Sequence, residues 1–413
     1  MGLSKFNLFK NVGPGALVTA AFIGPGTVTV CTLAGVQFGF ALLWALLLSV
    51  VATVVLQEMA ARLGILTGKS LSQAILGELK HKGVRMLVLG LILVAILVGN
   101  SAYEAGNISG GALGLDAIIP NTQITIGAST FSSINLVIGA IAFILLYLGS
   151  YKVLEKALVS LVIIMSVSFV ITAILTKPDL SALFSGLFIP KQPSESIFTI
   201  IALIGTTVVP YNLFLHASVV REKWHSPSDL SKVRKDTFIS IGLGGLVSMA
   251  IVVSAAAIQG TQVLGATDLA KGLEPLYGTW AKYFIGIALF AAGITSAITA
   301  PMAAAYVARG CFNWDANLKS GKFRAVWMIV LLLGVLFSVF GGSPIQIIKV
   351  AQIANGLLLP IIAILLIWVV NRKQLLKKYV NNRIQNVLGV IIIIVTLLIS
   401  YRTLSKVIES FLA

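Results

Sequence analysis

The chain has 413 residues, of which 58% are hydrophobic and only 11% are charged. About a quarter of the residues in an ordinary soluble domain are charged, so this composition excludes a water-soluble globular protein and indicates an all-α, polytopic membrane protein. The net charge of +16 does not indicate a nucleic-acid partner. Most basic residues lie in short loops between apolar runs, where the positive-inside bias of membrane proteins places them.

Apolar runs of about 20 residues, the length that crosses a bilayer as a helix, predict eleven membrane-spanning helices. They cover 13–38, 41–65, 84–108, 132–150, 153–175, 196–221, 237–259, 280–308, 324–341, 345–370 and 386–410. Only a short segment around Gln37-Phe38-Gly39 separates the first two runs. We expect all eleven helices to pack as one transmembrane domain over residues 1–413.

The basic residues are distributed unevenly between the two sides of this arrangement. With the N-terminus inside, the predicted cytoplasmic segments carry Lys5, Lys10, Lys69, Lys80, Lys82, Arg85, Lys152, Lys156, Arg221, Lys223, Lys232, Arg234, Lys235, Arg309, Lys319, Lys322, Arg324, Arg372, Lys373, Lys377, Lys378 and Arg383. The predicted outer loops carry only Lys177, Lys191, Lys271 and Lys282. The positive-inside bias therefore places the N-terminus in the cytoplasm, and an odd number of spans places the C-terminus outside.

Two short breaks interrupt the first and sixth runs, at Ile23-Gly24-Pro25-Gly26-Thr27 and Val208-Val209-Pro210-Tyr211-Asn212. Proline lacks the amide donor that a helix needs, and glycine permits turns that other residues resist. Free backbone groups at bilayer depth are tolerated only where they line a cavity or are buried in protein. Two breaks five spans apart predict an inverted 5+5 repeat over 13–175 and 196–370, with helices one and six discontinuous at the substrate site. The run 386–410 lies outside the repeat.

Several separated motifs occur in a fixed order along the chain. They are Gly13-Pro14-Gly15, Gly24-Pro25-Gly26-Thr27, the segment 57–64, the segment 109–115, the segment 210–216 and the surroundings of Gln352. Together they resemble the natural resistance-associated macrophage protein (NRAMP) family of divalent metal transporters over essentially the whole chain. The resemblance implies a LeuT-like fold in a bacterial plasma membrane. It implies the lipid bilayer and a divalent metal ion as partners, with the metal as transported substrate rather than cofactor.

The positions that form the metal site in this family carry different residues here. The family's first break reads Asp-Pro-Gly-Asn where this chain has Gly24-Pro25-Gly26-Thr27, and its second reads Ala-x-x-Met-Pro-His where this chain has residues 206–211. The resemblance places the metal among Gly24, Thr27, Thr206, Val209 and Gln352. The family's carboxylate and thioether ligands are both absent from this set.

Neutral oxygen atoms are the donors that remain at these positions. They are the hydroxyls of Thr27 and Thr206, the backbone carbonyls at both breaks, and the side chains of Gln352 and Asn212. Mg²⁺ loses water reluctantly and usually keeps several waters when bound, whereas Mn²⁺ or Fe²⁺ gains more from sulfur and carboxylate ligands. Replacing Asp by Gly24 also widens the cavity. The pattern therefore resembles the NRAMP-related magnesium transporter branch and predicts Mg²⁺ transport, with Mn²⁺ as a second candidate.

Intramembrane ionisable residues are functional candidates because they are costly to bury. Glu104 in span three aligns with an acidic position near the family's proton route, whereas Asn107 and Tyr211 replace the family's next acid and its sixth-span His. Since Gly24 also replaces the Asp, we expect alternating-access transport without obligatory proton coupling. The side chains expected to hydrogen-bond Glu104 as a structural acid are Asn100, Ser101 and Tyr103.

Three alternatives are compatible with the residues alone. In the first alternative, the residues at the site have only structural roles. The small residues Gly24 and Gly26 let helices approach closely. Thr27 and Thr206 can bond carbonyls one turn earlier in their own helices, and Gln352 can form a helix–helix contact. The chain could also be a proton-coupled Mn²⁺ or Fe²⁺ importer with relocated ligands, or a transporter of a non-metal solute on the same scaffold. No nucleophile elbow, paired catalytic carboxylates or phosphate-binding loop indicates an enzyme.

Two further expectations concern structure rather than transport. Glu58 and Arg62 lie one helical turn apart and are expected to form an ion pair near the inner surface. Cys31 and Cys311 are isolated in apolar segments, and we expect both to be buried packing residues.

Overall fold

The computed structural model describes residues 23–119, 121–126, 129–149, 152–224, 226–260, 262–314, 319–340 and 342–412. The predictions for Lys5, Lys10, Gly13-Pro14-Gly15 and the first part of the 13–38 run lie outside these residues. Helices dominate the described chain, and its one hairpin pairs two short antiparallel strands with Gln123 opposite Ser132.

The helices and strands follow one another in this order. They are α1 Pro25–Phe38, α2 Leu43–Thr67, α3 Leu71–Glu78, α4 Lys82–Asp116, β1 Gln123–Ile126, β2 Ser129–Ser132, α5 Ser133–Leu148, α6 Lys152–Leu175, α7 Leu180–Phe188, α8 Ile197–Thr207, α9 Pro210–Lys223, α10 Leu230–Ala256, α11 Ala266–Lys271, α12 Glu274–Tyr277, α13 Ala281–Phe312, α14 Gly321–Phe340, α15 Pro344–Val370, α16 Lys373–Leu376 and α17 Arg383–Leu412. Short 3₁₀ turns precede α10 and α13 and follow α16.

The described helices agree with the predicted spans. Among the described residues, nine helical segments are long and apolar enough to cross a membrane, with α8 and α9 counted together as one. The shorter apolar helix α5 matches the fourth predicted run, and α1 matches the second part of the first run. The hairpin and the short helices α3, α7, α11 and α12 were not predicted, because each is too short to produce a membrane-length apolar run.

Both predicted breaks coincide with helix ends. Gly24 is extended (φ −117°, ψ −172°) and Pro25 begins α1. In the sixth run α8 ends at Thr207, Val208 and Val209 leave the helical region, and Pro210 begins α9. Proline is favoured at the first helical position because its missing amide hydrogen has no partner there anyway. The sixth helix is therefore discontinuous, as the sequence predicted.

The packing places the break helices inside the bundle. Helix α4 packs along α13, α14 and α15, while α1 packs on α10 and α8 packs on α15. Gly39 (φ +57°) makes the turn from α1 to α2 in the left-handed region that favours glycine. Cys31 and Cys311 are buried and unpaired, as expected.

A buried arginine joins three elements at the end of α2. The Arg62 side chain is 1% exposed, and its Nε lies 3.1 Å from Glu58 Oε1, which confirms the predicted pair. Arg234 of α10 also contacts Glu58 at 2.8 Å. Arg62 donates further to the Tyr379 carbonyl and to Asn381 Oδ1. Because a buried guanidinium needs such partners, this cluster ties α2 to α10 and to the segment before α17.

Candidate metal site between the two helix breaks

The two breaks meet through a pair of threonine hydroxyls. Thr27 Oγ1, in the first turn of α1, lies 2.8 Å from Thr206 Oγ1, near the end of α8, and both residues are buried. Both residues lie next to a break, because Thr27 follows Pro25 by two positions and Thr206 directly precedes the last residue of α8. The proposed ligand pair therefore forms one hydrogen bond between residues 179 positions apart.

Gln352 of α15 lies against both break helices. A Cβ added to Gly26 would come 2.2 Å from Gln352 Nε2, and one added to Gly205 would come 1.9 Å from the Gln352 backbone oxygen. Glycine at both positions therefore permits this close approach, in agreement with the structural alternative for Gly26. Gln352 is 1% exposed, and its Oε1 has no hydrogen-bond partner among the described residues.

The start of α9 contributes apolar and polar surface next to this pair. Val209 is fully buried, and its side chain has no donor atom for a metal. The Tyr211 ring packs edge-on against Tyr103, with ring centroids 5.5 Å apart. Asn212 is buried, and neither polar atom of its side chain has a hydrogen-bond partner within the described chain. Asn212 thus supplies an unused amide close to the second break.

Ser296 of α13 is a residue of this region that sequence analysis missed. A Cβ added to Gly24 would lie 2.9 Å from Ser296 Oγ. Ser296 is 1% exposed, and its hydroxyl has no hydrogen-bond partner in the part of the chain that is described. The neighbouring Thr295 bonds backward to Ala291 and Ala292 within α13. In the sequence, Thr295 and Ser296 form an adjacent polar pair within the eighth apolar run. The pattern alone does not indicate which of the two side chains faces Gly24.

The surroundings of Glu104 differ from the expectation. Asn107 Nδ2 donates to Glu104 Oε2 at 3.3 Å, whereas Asn100 and Ser101 donate to the carbonyls of Ala300 and Leu97. The prediction that Asn100 and Ser101 would satisfy Glu104 was therefore wrong, because each side chain reaches a helix carbonyl instead. Glu104 is fully buried, and its Oε1 accepts no hydrogen bond from any described residue.

His216 of α9 pairs with a side chain of another helix. Its Nδ1 lies 2.9 Å from Gln57 Oε1 of α2, and its Nε2 has no partner among the described residues. Within the described ranges, no three His, Cys, Asp or Glu residues are grouped so that they could hold a metal ion. The polar atoms around the breaks are thus neutral hydroxyls and amides, which suit an oxygen-preferring ion better than a thiolate-preferring one.

The sequence is similar to proteins described as metal transporters along nearly its full length. The family described as "Natural resistance-associated macrophage protein-like" matches residues 15–406. A Divalent metal cation transporter MntH of Caldanaerobacter subterraneus is 24% identical over 95% of this chain and 92% of its own length. The MntH of Deinococcus radiodurans is 26% identical over 93% of this chain and 87% of its own length.

Solved structures share the fold. The manganese transporter of Eremococcus coleocola has a TM-score of 0.76 at 20% identity, covering 100% of this chain and 90% of that one. Mhp1, a nucleobase-cation-symport-1 family transporter, has a TM-score of 0.59 at 14% identity, covering 97% of this chain and 93% of that one. The predicted LeuT-like architecture is confirmed. With the family match over residues 15–406, the chain belongs to the natural resistance-associated macrophage protein family of divalent metal transporters, and it is not an enzyme.

Proposed function

We propose that this protein carries Mg²⁺ across the membrane by alternating access, with the ion bound between the two helix breaks. The observation that carries the proposal is the buried pair of hydroxyls of Thr27 and Thr206, 2.8 Å apart. A cation entering between α1 and α8 would replace this hydrogen bond with two neutral oxygen ligands. Gln352 Oε1 and the backbone carbonyls at the breaks would complete the set.

A neutral oxygen site favours weak binding of a partly hydrated ion. Mg²⁺ keeps several waters in most protein sites, and uncharged hydroxyls and amides hydrogen-bond those waters without removing them. Gly24 adds no side chain that would compete with such a shell. We place the N-terminus in the cytoplasm and the C-terminus outside, since this orientation follows the positive-inside bias.

Mn²⁺ is the second candidate substrate. The relatives named above are described as divalent metal cation transporters, and the Eremococcus coleocola structure is described as a manganese transporter. The description of the Eremococcus coleocola protein supports Mn²⁺ rather than Mg²⁺. Oxygen ligands also suit Mn²⁺, so only the absence of the carboxylate and the thioether at Gly24 and Val209 favours Mg²⁺.

Ion choice can be measured with purified protein in liposomes. We expect Mg²⁺ influx that rises with an inside-negative potential, and Mn²⁺ that competes with it only at much higher concentration. Mg²⁺- and Mn²⁺-sensitive dyes inside the vesicles report the two fluxes, and protein-free liposomes provide the control. Micromolar Mn²⁺ binding by calorimetry together with no Mg²⁺ influx would assign the chain to the second candidate.

We further propose that metal transport is not coupled to proton movement. Moving a dication inward through 100 mV releases about 4.6 kcal/mol, because each charge contributes about 2.3 kcal/mol. This energy drives Mg²⁺ uptake down a shallow gradient unaided. Asn107, Tyr211 and Gly24 carry no readily titrating side chain, which leaves Glu104 as the acid nearest the family's proton route.

We therefore expect metal influx to leave the internal pH of the vesicles unchanged, and Glu104→Gln to keep the ratio of proton to metal flux at zero. A pH-sensitive dye inside the liposomes measures proton entry under the same metal gradient. Metal-driven acidification that disappears in Glu104→Gln would show that the transporter is proton-coupled and that Glu104 carries the proton.

A further inference from the structure

The first turn of α1 is approached from three directions by polar side chains. Ser296 of α13 lies beside Gly24, Thr206 of α8 bonds Thr27, and Gln352 of α15 lies beside Gly26. The Ser296 hydroxyl thus lies beside Gly24, three positions before Thr27 in the chain, while Gln352 lies beside Gly26.

The Ser296 hydroxyl is buried without a structural use in the described chain. It is 1% exposed and makes no hydrogen bond there, whereas many buried hydroxyls, such as those of Thr207 and Ser248, bond a carbonyl of their own helix. A buried hydroxyl without a partner is costly. This cost is offset when a ligand or its water supplies the missing partner, and the hydroxyl lies beside Gly24, which has no side chain that could serve as that partner.

We propose that Ser296 is a specificity-determining residue, whose hydroxyl hydrogen-bonds the hydration shell of the transported dication beside Gly24. The inference rests on the proposed function, because it assigns a further contact within the same site. A hydroxyl both donates and accepts, so it holds a metal-bound water without taking the place of that water. Gly24 is needed for this arrangement, since a Cβ there would come within 2.9 Å of the oxygen and turn it away.

The test uses single and double variants of the full chain in liposomes. Ser296→Ala should lower Mg²⁺ influx at limiting concentration about tenfold, with an unchanged thermal midpoint, because it removes no hydrogen bond within the protein. Gly24→Ala should have a similar effect by displacing the hydroxyl. The double variant should be no worse than either single variant, because contacting residues that act through one interaction are non-additive.

Ser400→Ala provides a matched control. Ser400 is also buried with an unpartnered hydroxyl, but it lies in α17 and, unlike Ser296, not beside Gly24. Unchanged flux in Ser296→Ala, an equal loss in Ser400→Ala, or strictly additive effects of Gly24→Ala and Ser296→Ala would each overturn the inference. A wild-type protein that carries Mn²⁺ but no Mg²⁺ would instead overturn the proposed function. In that case, the ratio of Ser296→Ala flux to wild-type flux would be measured with Mn²⁺, and it would still decide the role of Ser296.

Discussion

Restoring the family's charged and sulfur ligands should convert the ion preference of this protein. In the combined variant Gly24→Asp, Thr27→Asn, Thr206→Ala and Val209→Met, we expect Mn²⁺ and Cd²⁺ affinity to rise by at least about tenfold, or about 1.4 kcal/mol. Mg²⁺ transport should fall, because a tighter, charged cage must remove more of its water. Calorimetry and liposome flux measure the two effects.

The structure adds a fifth substitution to this design. The Cβ of an aspartate at position 24 would lie 2.9 Å from Ser296 Oγ, so Ser296→Ala should be included to make room for the carboxylate. A matched control keeps Gly24 and changes only Thr27, Thr206 and Val209. That control separates the effect of the negative charge from the effect of the altered shape. If a folded variant with all five substitutions kept the wild-type preference between Mg²⁺ and Mn²⁺, the ion would not bind between the breaks.

A methyl group added at Gly205 should disrupt the site because it would clash with backbone atoms of the neighbouring helix. The added Cβ would come 1.9 Å from the Gln352 carbonyl oxygen, and backbone atoms cannot rotate away as a side chain can. In Gly205→Ala, helices α8 and α15 must separate, at a typical overpacking cost of about 1–3 kcal/mol. We expect a clearly lower thermal midpoint and almost no transport, measured by thermal unfolding in detergent and by ion influx.

Two further glycine variants serve as controls for the result with Gly205→Ala. At Gly26 the atom in the way is the tip of the Gln352 side chain, so Gly26→Ala should fold normally and lose transport by moving that amide. Gly242 in α10 has open space around it, and Gly242→Ala should be neutral or slightly stabilising, since alanine is the better helix former. Gly205→Ala with a wild-type midpoint and wild-type flux would contradict the close packing of α15 on α8.

The fold was largely determined by local features of the sequence. Apolar runs of about 20 residues match the thickness of the bilayer, and proline at positions 25 and 210 lacks the amide donor that a helix interior needs, so the spans and the break of the sixth helix could be predicted from the sequence. The Glu58–Arg62 pair was equally accessible, because residues four apart on one helix are always neighbours. None of these predictions required knowing which helices touch.

The contacts at the site were decided by the tertiary structure. The Thr27–Thr206 bond joins residues 179 positions apart, and Ser296 faces Gly24 only because α13 packs where it does. Apolar composition does not specify which helices meet in lipid, where close packing at small residues and interhelical hydrogen bonds select the partners. The same reason explains why Glu104 bonds Asn107 while Asn100 turns to the Ala300 carbonyl of α13. The sequence by itself thus identified the spans, the breaks and most of the candidate ligands, and packing between distant helices decided which polar atoms share one site.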